Sequence, residues 1–289
     1  MTQTLFIFGL GYSAGLLAQQ ALQKGWRVLA TTRKPEDLTL TDGIERFLFD
    51  GTTPLDHMSE KLESVTHIVH SIPPHPETGD AVFQHHHADL EKLPNLEWFG
   101  YLSTTGVYGT ANGQEVTEDS PLNPTSQRAK ARKETEENWL KTTLPVHLFR
   151  LAGIYGPERN SFQQIKAGKA RAILKKGHKF SRIHQEDIVG ILWASIAKPN
   201  PKSAYNVCDN YPCEALDVLS YAYHLLGQPA PEAIPFEDVQ PTLSPMAQSF
   251  WKDNKIVSNQ KVKTELTYAF HYPTYKEGLQ AIFKTHKAR

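Results

Sequence analysis

A doubly wound α/β fold with a smaller, mainly helical C-terminal lobe is what three features of this sequence predict. The first is a strand–glycine–helix opening over residues 5–22. The second is a series of short apolar runs separated by helical segments, up to residue 157. The third is the loss of that alternation beyond 157, where helices and a proline-rich stretch take over.

The opening run, Leu5 to Phe8, reads as a buried parallel strand. Gly9, Gly11 and Gly15 follow, and Leu16, Leu17, Ala18, Ala21 and Leu22 fall at helical spacing. The early glycines permit a tight turn and let the backbone approach a pyrophosphate. The new helix then aims free N–H groups and its positive dipole end at that charge. The spacing departs from G-x-G-x-x-G, with Ala14 where the third glycine would stand.

Trp26–Thr32 is the second predicted strand, followed by Arg33 and Lys34. An acidic residue at this strand end would bind a 2′-hydroxyl and favour NAD. Arg33 suits a 2′-phosphate and favours NADP over NAD. A third strand ends in Phe47-Leu48-Phe49-Asp50, which places Asp50 at the adenine edge. Val65–Ser71 is a fourth, followed by a stiff proline loop with His75 free to reach the cleft. A helix is expected over 80–93. Its consecutive His85, His86 and His87 point to different sides, a poor metal geometry, so no metal site is expected. Leu96–Leu102 is a fifth strand, running into Ser103-Thr104-Thr105-Gly106-Val107-Tyr108-Gly109, and hydroxyls at a parallel strand's carboxyl end are well placed for a substrate. A polar loop over 110–127 leads to a long helix over 128–141. A sixth strand, Pro145–Leu151, ends at the turn Gly153–Pro157.

Beyond 157, residues 170–174 and 179–183 read as a small hairpin around Lys175–His178. Helices are expected over 185–197, 215–226 and 275–283, a strand rejoining the sheet over 204–207, and a loop over 229–245. The expected division is a dinucleotide-binding Rossmann-type domain over 1–157, with the later strand, and an interleaved substrate-binding lobe over 158–289. The cleft between them is the default site.

Composition narrows the function. The chain has 289 residues, 39% hydrophobic and 21% charged, with Lys+Arg and Asp+Glu at 31 each. A formal charge of zero leaves no basic field for nucleic acid, so no nucleic-acid partner is expected. No stretch is long and apolar enough to span a bilayer, and no membrane partner is expected. Cys208 and Cys213 make neither a metal set nor a disulfide framework. The opening lacks the basic n-region of a signal peptide. A cytoplasmic setting is the expectation.

The motifs together resemble the extended short-chain dehydrogenase/reductase superfamily, its NAD-dependent epimerase/dehydratase family, over nearly the whole chain. They are the glycine turn and Asp50, STTGVYG at 103–109, EDSPLNP at 118–124, RLAGIYGP at 150–157 and RIHQEDIVG at 182–190. The tail, with YNVCDNYP at 205–212 and SNQKVKTEL at 258–266, looks most like an atypical, YeeZ-like branch.

The resemblance implies a cofactor site built from Gly9, Gly11, Tyr12, Ser13, Gly15, Thr32, Arg33, Asp50, Ser71, Ser103, Arg132, Ile154 and Tyr155. It implies a small-molecule substrate such as a nucleotide sugar. It also implies dimerisation through the 128–141 helix, although that helix's many charges equally suit a solvated face. The family's chemistry uses a Tyr-x-x-x-Lys pair, the lysine lowering the tyrosine's pKa and the tyrosine moving the substrate's proton. Thr104 matches the accompanying hydroxyl.

The pair itself is replaced. Counting from Pro124, Arg128 stands at the tyrosine position, Arg132 at the lysine position, and Glu136 at an acidic position four further on. A second register pairs Ser126 with Lys130. Arginine cannot trade a proton near neutral pH. Tyr108 and Tyr155 are alternative proton donors or structural turn residues, and His184 more naturally fixes the lobe, through backbone or Asp187. Three functions stand open: an NADP-dependent reductase, epimerase or dehydratase with a non-standard proton donor; a cofactor-binding sensor or regulator without turnover; and, disfavoured by charge, a nucleic-acid-binding derivative.

Overall fold

The computed structural model describes residues 2–287, so the outermost residues of the expected domain ranges lie outside the description. The chain divides into two compact units. The first comprises Met1–Val107, Gln127–Arg150 and Val189–Tyr205; the second comprises Tyr108–Ser126, Leu151–Ile188 and Asn206–Arg289. The division is interleaved and not a single cut.

The central sheet has seven parallel strands. In chain order the main elements are β1 (Thr4–Phe8), α1 (Tyr12–Gln23), β2 (Arg27–Thr32), β3 (Ile44–Leu48), β4 (His67–His70), α2 (Ala81–Leu90), β5 (Trp98–Thr104), α3 (Gln127–Lys141), β6 (Val146–Leu151), α4 (Gln185–Ala197) and β7 (Ala204–Val207). The spatial order is β7-β6-β5-β4-β1-β2-β3. The chain builds outward from β1 to β3 on one side, then returns to lay β4 against β1 on the other. Strand order therefore reverses between β1 and β4, and a sheet of this kind opens a ligand crevice at the carboxyl ends of those two strands.

Every residue of β1 and β4 is buried, as expected for strands covered on both faces. Phe6, Phe8 and Ile68 from these strands join Leu29, Phe99, Trp139, Val146 and Leu148 in one core. A buried polar tie crosses it. Asp80 caps α2 by accepting from the Val82 amide at 3.0 Å, while its other oxygen accepts from Trp139 Nε1 at 2.8 Å and His70 Nε2 at 2.9 Å. One carboxylate thus fixes α2 to both β4 and α3.

The second unit has its own core of Tyr155, Phe162, Cys213, Ala222, Tyr275, Leu279 and Ile282. Its helices Ala215–Leu226 and Tyr275–Lys287 (α5 and α6) supply most of these residues. A Cβ at Gly278 would lie 2.2 Å from the Tyr155 hydroxyl, so the close approach of α6 requires glycine there.

Several expectations are corrected. The third strand ends at Leu48, so Phe49 and Asp50 lie beyond it. The hairpin over 170–183 does not form. The Lys175–His178 turn is present, with the His178 amide bonded to the Lys175 carbonyl at 3.0 Å. Its arms go to different partners: Ile173–Leu174 pairs with Ile234–Pro235, and Arg182–His184 with Gly153–Tyr155, both in parallel. The expected turn at 153–157 thus begins as a strand. The 229–245 stretch is not simply loop, because its prolines start helical turns: Phe236–Val239 follows Pro235, Gln240–Thr242 contains Pro241, and Pro245 opens Pro245–Lys252 behind a Ser244 cap. The last helix runs on to Lys287.

Candidate functional site

The β1–α1 turn sits at the switch point. Gly9 has φ +84°, and a Cβ there would lie 2.7 Å from Ile72 Cγ1, so both backbone and space demand glycine. Its amide donates to Thr31 Oγ1 at 2.8 Å, and its carbonyl accepts from Ser71 Oγ at 2.5 Å. Ser71 thus locks the end of β4 to the end of β1.

Gly11 is the N-cap of α1, in extended conformation, and no side chain caps the helix. A Cβ at Gly11 or Gly15 would meet nothing within 4 Å. Ser13, in the first helical turn, is buried, and its Oγ has no hydrogen-bond partner. An uncapped helix N-terminus, open space in front of the glycines and an unpartnered buried hydroxyl fit an anionic group such as a pyrophosphate. Tyr12 is half-buried at the same turn.

At the end of β2, Arg33 is exposed. Thr32 Oγ1 accepts from the Lys34 amide at 3.1 Å and donates to Asp37 Oδ2 at 2.8 Å. Asp37 is a residue the sequence argument missed. It lies five positions beyond Thr32, and the 3-10 turn Pro35–Thr39 brings it back to the strand end. Asp50 is exposed, and its Oδ1 accepts from the Thr52 amide at 2.9 Å and hydroxyl at 2.7 Å. Those bonds, the hydroxyl's first, hold its carboxyl below the usual range.

The ends of β5 and α3 form a second cluster. Ser103 Oγ donates to Glu136 Oε1 at 2.5 Å. Arg150, the last β6 residue of the first unit, pairs with Glu136 through Nη2 at 2.8 Å and Nε at 3.1 Å, and all three side chains are buried. Thr104 is half-buried, with Oγ1 accepting from the Gly106 amide at 3.1 Å. Arg132 reaches across to β5: its Nη1 donates to the Leu102 carbonyl at 2.5 Å and the Tyr101 hydroxyl at 3.2 Å, with the guanidinium 5.6 Å from the Tyr101 ring centre. Burial pushes the Tyr101 hydroxyl up to about 12, against the opposing pull of Arg132. Arg128 and Lys130 are exposed on α3.

The remaining predicted residues, His75 apart, lie in the second unit. Tyr108 is buried and donates to Asn206 Oδ1 at 2.7 Å. Tyr155 is buried, its hydroxyl 3.4 Å from the Thr274 carbonyl and its ring edge-on to His184. Burial first, then the charges of Asp209, Asp187 and Glu277, raise its pKa far above the usual phenol value. Ile154 is half-buried in the Gly153–Tyr155 strand. His184 accepts from the Glu186 amide at 3.2 Å. Asp187 is held instead by the Tyr268 hydroxyl at 2.8 Å and the His271 and Tyr272 amides at 2.7 and 3.0 Å. His75 is exposed, its Nδ1 accepting from the Glu77 and Thr78 amides. Among the described residues, no group of three or more His, Cys, Asp or Glu is placed to hold a metal ion, and no helix is long and apolar enough to cross a membrane.

No family model matches the chain. It is 25% identical over 147 residues to mouse dTDP-D-glucose 4,6-dehydratase, a match covering 46% of this chain and 41% of the mouse protein. The chain thus spans less than half the length of that relative. It is 41% identical to a solved protein from Silicibacter pomeroyi described as a conserved protein of unknown function, with a TM-score of 0.90 over 98% of this chain and 99% of that one. At 18% identity it shares the fold of the UDP-glucuronic acid 4-epimerase of Bacillus cereus, solved with UDP-glucuronic acid and NAD, with a TM-score of 0.77 over 99% of both chains.

Proposed function

Because this chain belongs to one family with the Silicibacter protein, within the extended short-chain dehydrogenase/reductase superfamily, we propose that it is a nicotinamide-dinucleotide-binding protein acting on a nucleotide sugar or related hydroxyl or carbonyl compound. One observation carries the cofactor assignment: at the switch point, Gly11 leaves α1 uncapped beside open space and the unpartnered Ser13 hydroxyl.

In this proposal Gly9, Gly11, Tyr12, Ser13 and Gly15 receive the pyrophosphate, Thr32 and Arg33 the adenosine ribose, and Asp50 the adenine. Ser71, Ser103, Ile154 and Tyr155 line the remainder. The cofactor, when bound, supplies a hydride acceptor or donor. Thr104 holds the reacting substrate oxygen through its hydroxyl. Arg132, anchored on Leu102 and Tyr101, offers a fixed positive charge to the cofactor ribose. The second unit binds the substrate. NADP is the proposed form, on the exposed Arg33. The carboxylate of Asp37 on Thr32 opposes it, since a 2′-hydroxyl would find an acceptor there and a 2′-phosphate a like charge.

A second reading is a sensor or regulator that binds the cofactor without turnover. It is favoured by α3 in the register counted from Pro124, where Arg128 and Arg132 would stand in place of the Tyr–Lys pair and neither can exchange a proton near neutral pH. Steady-state assays with a panel of UDP- and dTDP-sugars separate the two. Turnover lost in Thr104→Val supports the enzyme. Firm dinucleotide binding with no turnover across the panel supports the sensor.

A further inference from the structure

The run His85-His86-His87 is unused by the proposed chemistry, and two of its members grip the loop that follows β3. His85 Nε2 donates to the Gly51 carbonyl at 3.2 Å. His86 Nε2 accepts from the Leu55 amide at 3.2 Å. Consecutive residues on a helix diverge by about 100°. One turn of α2 therefore takes hold of both ends of the segment 51–55. His86 is 1% exposed, with its ring 5.4 Å from Phe49 and 6.1 Å from Phe8, and the ring of His85 is edge-on to Phe49. Gly51 lies close on the first residue of the same helix: its φ is +87°, and a Cβ would be 3.0 Å from Ala81 Cβ.

We infer that His85 and His86 are positioning residues for the purine end of the bound dinucleotide, acting through the 50–55 loop they clamp. The inference rests on the proposed cofactor site. Asp50 opens the clamped loop and spends one oxygen on Thr52 inside it. Its remaining acceptor can meet a purine amino group only if the loop keeps a fixed height above the sheet. Phe49, Gly51 and Leu55 set that height, and α2 holds all three. A core role alone would predict lost stability. A positioning role predicts lost affinity for the adenosine half of the ligand only.

The test compares NADPH and NADH with reduced nicotinamide mononucleotide, which lacks adenosine, by nicotinamide fluorescence on the full chain. His85→Ala should weaken both dinucleotides roughly five- to tenfold, the loss of about one hydrogen bond, and leave the mononucleotide unchanged. His85→Gln and His86→Gln place an amide nitrogen or oxygen where the ring nitrogen was. Both should keep dinucleotide affinity within about twofold of wild type. An equal loss for mononucleotide and dinucleotide, or no loss in His85→Ala, overturns the inference while leaving the cofactor site standing. Wild type that binds neither dinucleotide overturns the cofactor proposal itself, and this inference with it. If His85→Ala does not fold, His85→Phe takes its place, keeping a ring against Phe49 but no donor for the Gly51 carbonyl: a dinucleotide-selective loss supports the inference, and an equal loss or none overturns it.

Discussion

Glu136 and Arg150 form a buried ion pair, Oε2 to Nη2 at 2.8 Å, and Glu136 Oε1 also accepts a hydrogen bond from the Ser103 hydroxyl at 2.5 Å. The pair ties α3 to the end of β6, and Ser103 brings in the end of β5 beside Thr104. Isolated buried charges are costly, and this carboxylate is tolerated because Arg150 and Ser103 both donate to it.

Glu136→Gln takes away the carboxylate charge that pairs with the buried Arg150 guanidinium. Glu136→Gln is expected to cost about 3–5 kcal/mol. Thermal unfolding should show a drop of roughly ten degrees. An unchanged midpoint would mean that Arg150 is solvated or re-paired.

In the proposed cofactor site, the end of β2 would set two opposed groups, Arg33 and Asp37, beside the ribose. Arg33→Ala should weaken NADPH by about tenfold and leave NADH alone, the loss of one charge-assisted contact. Asp37→Asn should shift preference the other way, towards NADPH. Fluorescence titration of both nucleotides against both variants reads the ratio, and a ratio unmoved by either removes this strand end from cofactor choice.

The folded state carries two opposite pH dependences. Burial lowers the pKa of His67, His86, His147, His178 and His184 to about 4 from an ordinary 6.5. The unfolded chain therefore binds more protons between those values, and stability is lost as pH falls from 6.5 towards 4. Asp209 behaves in reverse. Burial, the largest cause, pushes its carboxyl up to about 7. The folded chain then holds the extra proton, and this group's contribution, full below about 4, is lost as pH rises to 7. Wild type should lose stability on acidification from pH 6.5, with the five histidines outweighing the one aspartate. Asp209→Asn should raise the unfolding temperature at pH 8 and have little effect at pH 4. A gain over wild type that is larger at pH 4 than at pH 8 would contradict this assignment.

The two glycines of the opening turn should separate folding from binding. Gly9→Ala meets Ile72 in a left-handed backbone and should destabilise the fold. Gly11→Ala meets nothing within 4 Å and should leave the unfolding midpoint within a degree or two.

Much of this was legible locally. A strand, a glycine turn and a helix follow one another within twenty-odd residues, and α5 ends at Gly227, whose φ of +68° is the left-handed stop its sequence advertises. What was not legible depends on partners far along the chain. The arms around Lys175–His178 alternate like a hairpin, but Ile173 finds Ile234 and Arg182 finds Gly153. Prolines 235, 241 and 245 read as breakers when they are starters. In the candidate site, the spacing from Pro124 named Arg132. It could not say that the guanidinium lands on Leu102 and Tyr101, nor that Asp37 folds back onto Thr32.

The measurement that tests the central claim most directly is nicotinamide fluorescence titration of wild type and Gly11→Ala, with unfolding temperatures taken in parallel. The account predicts saturable NADPH or NADH binding by wild type. In Gly11→Ala it predicts at least a tenfold loss, since a methyl group would occupy the space where the pyrophosphate backbone contact belongs, with the fold intact. Binding that survives the substitution unchanged, or a wild-type protein that takes up neither nucleotide, would contradict it.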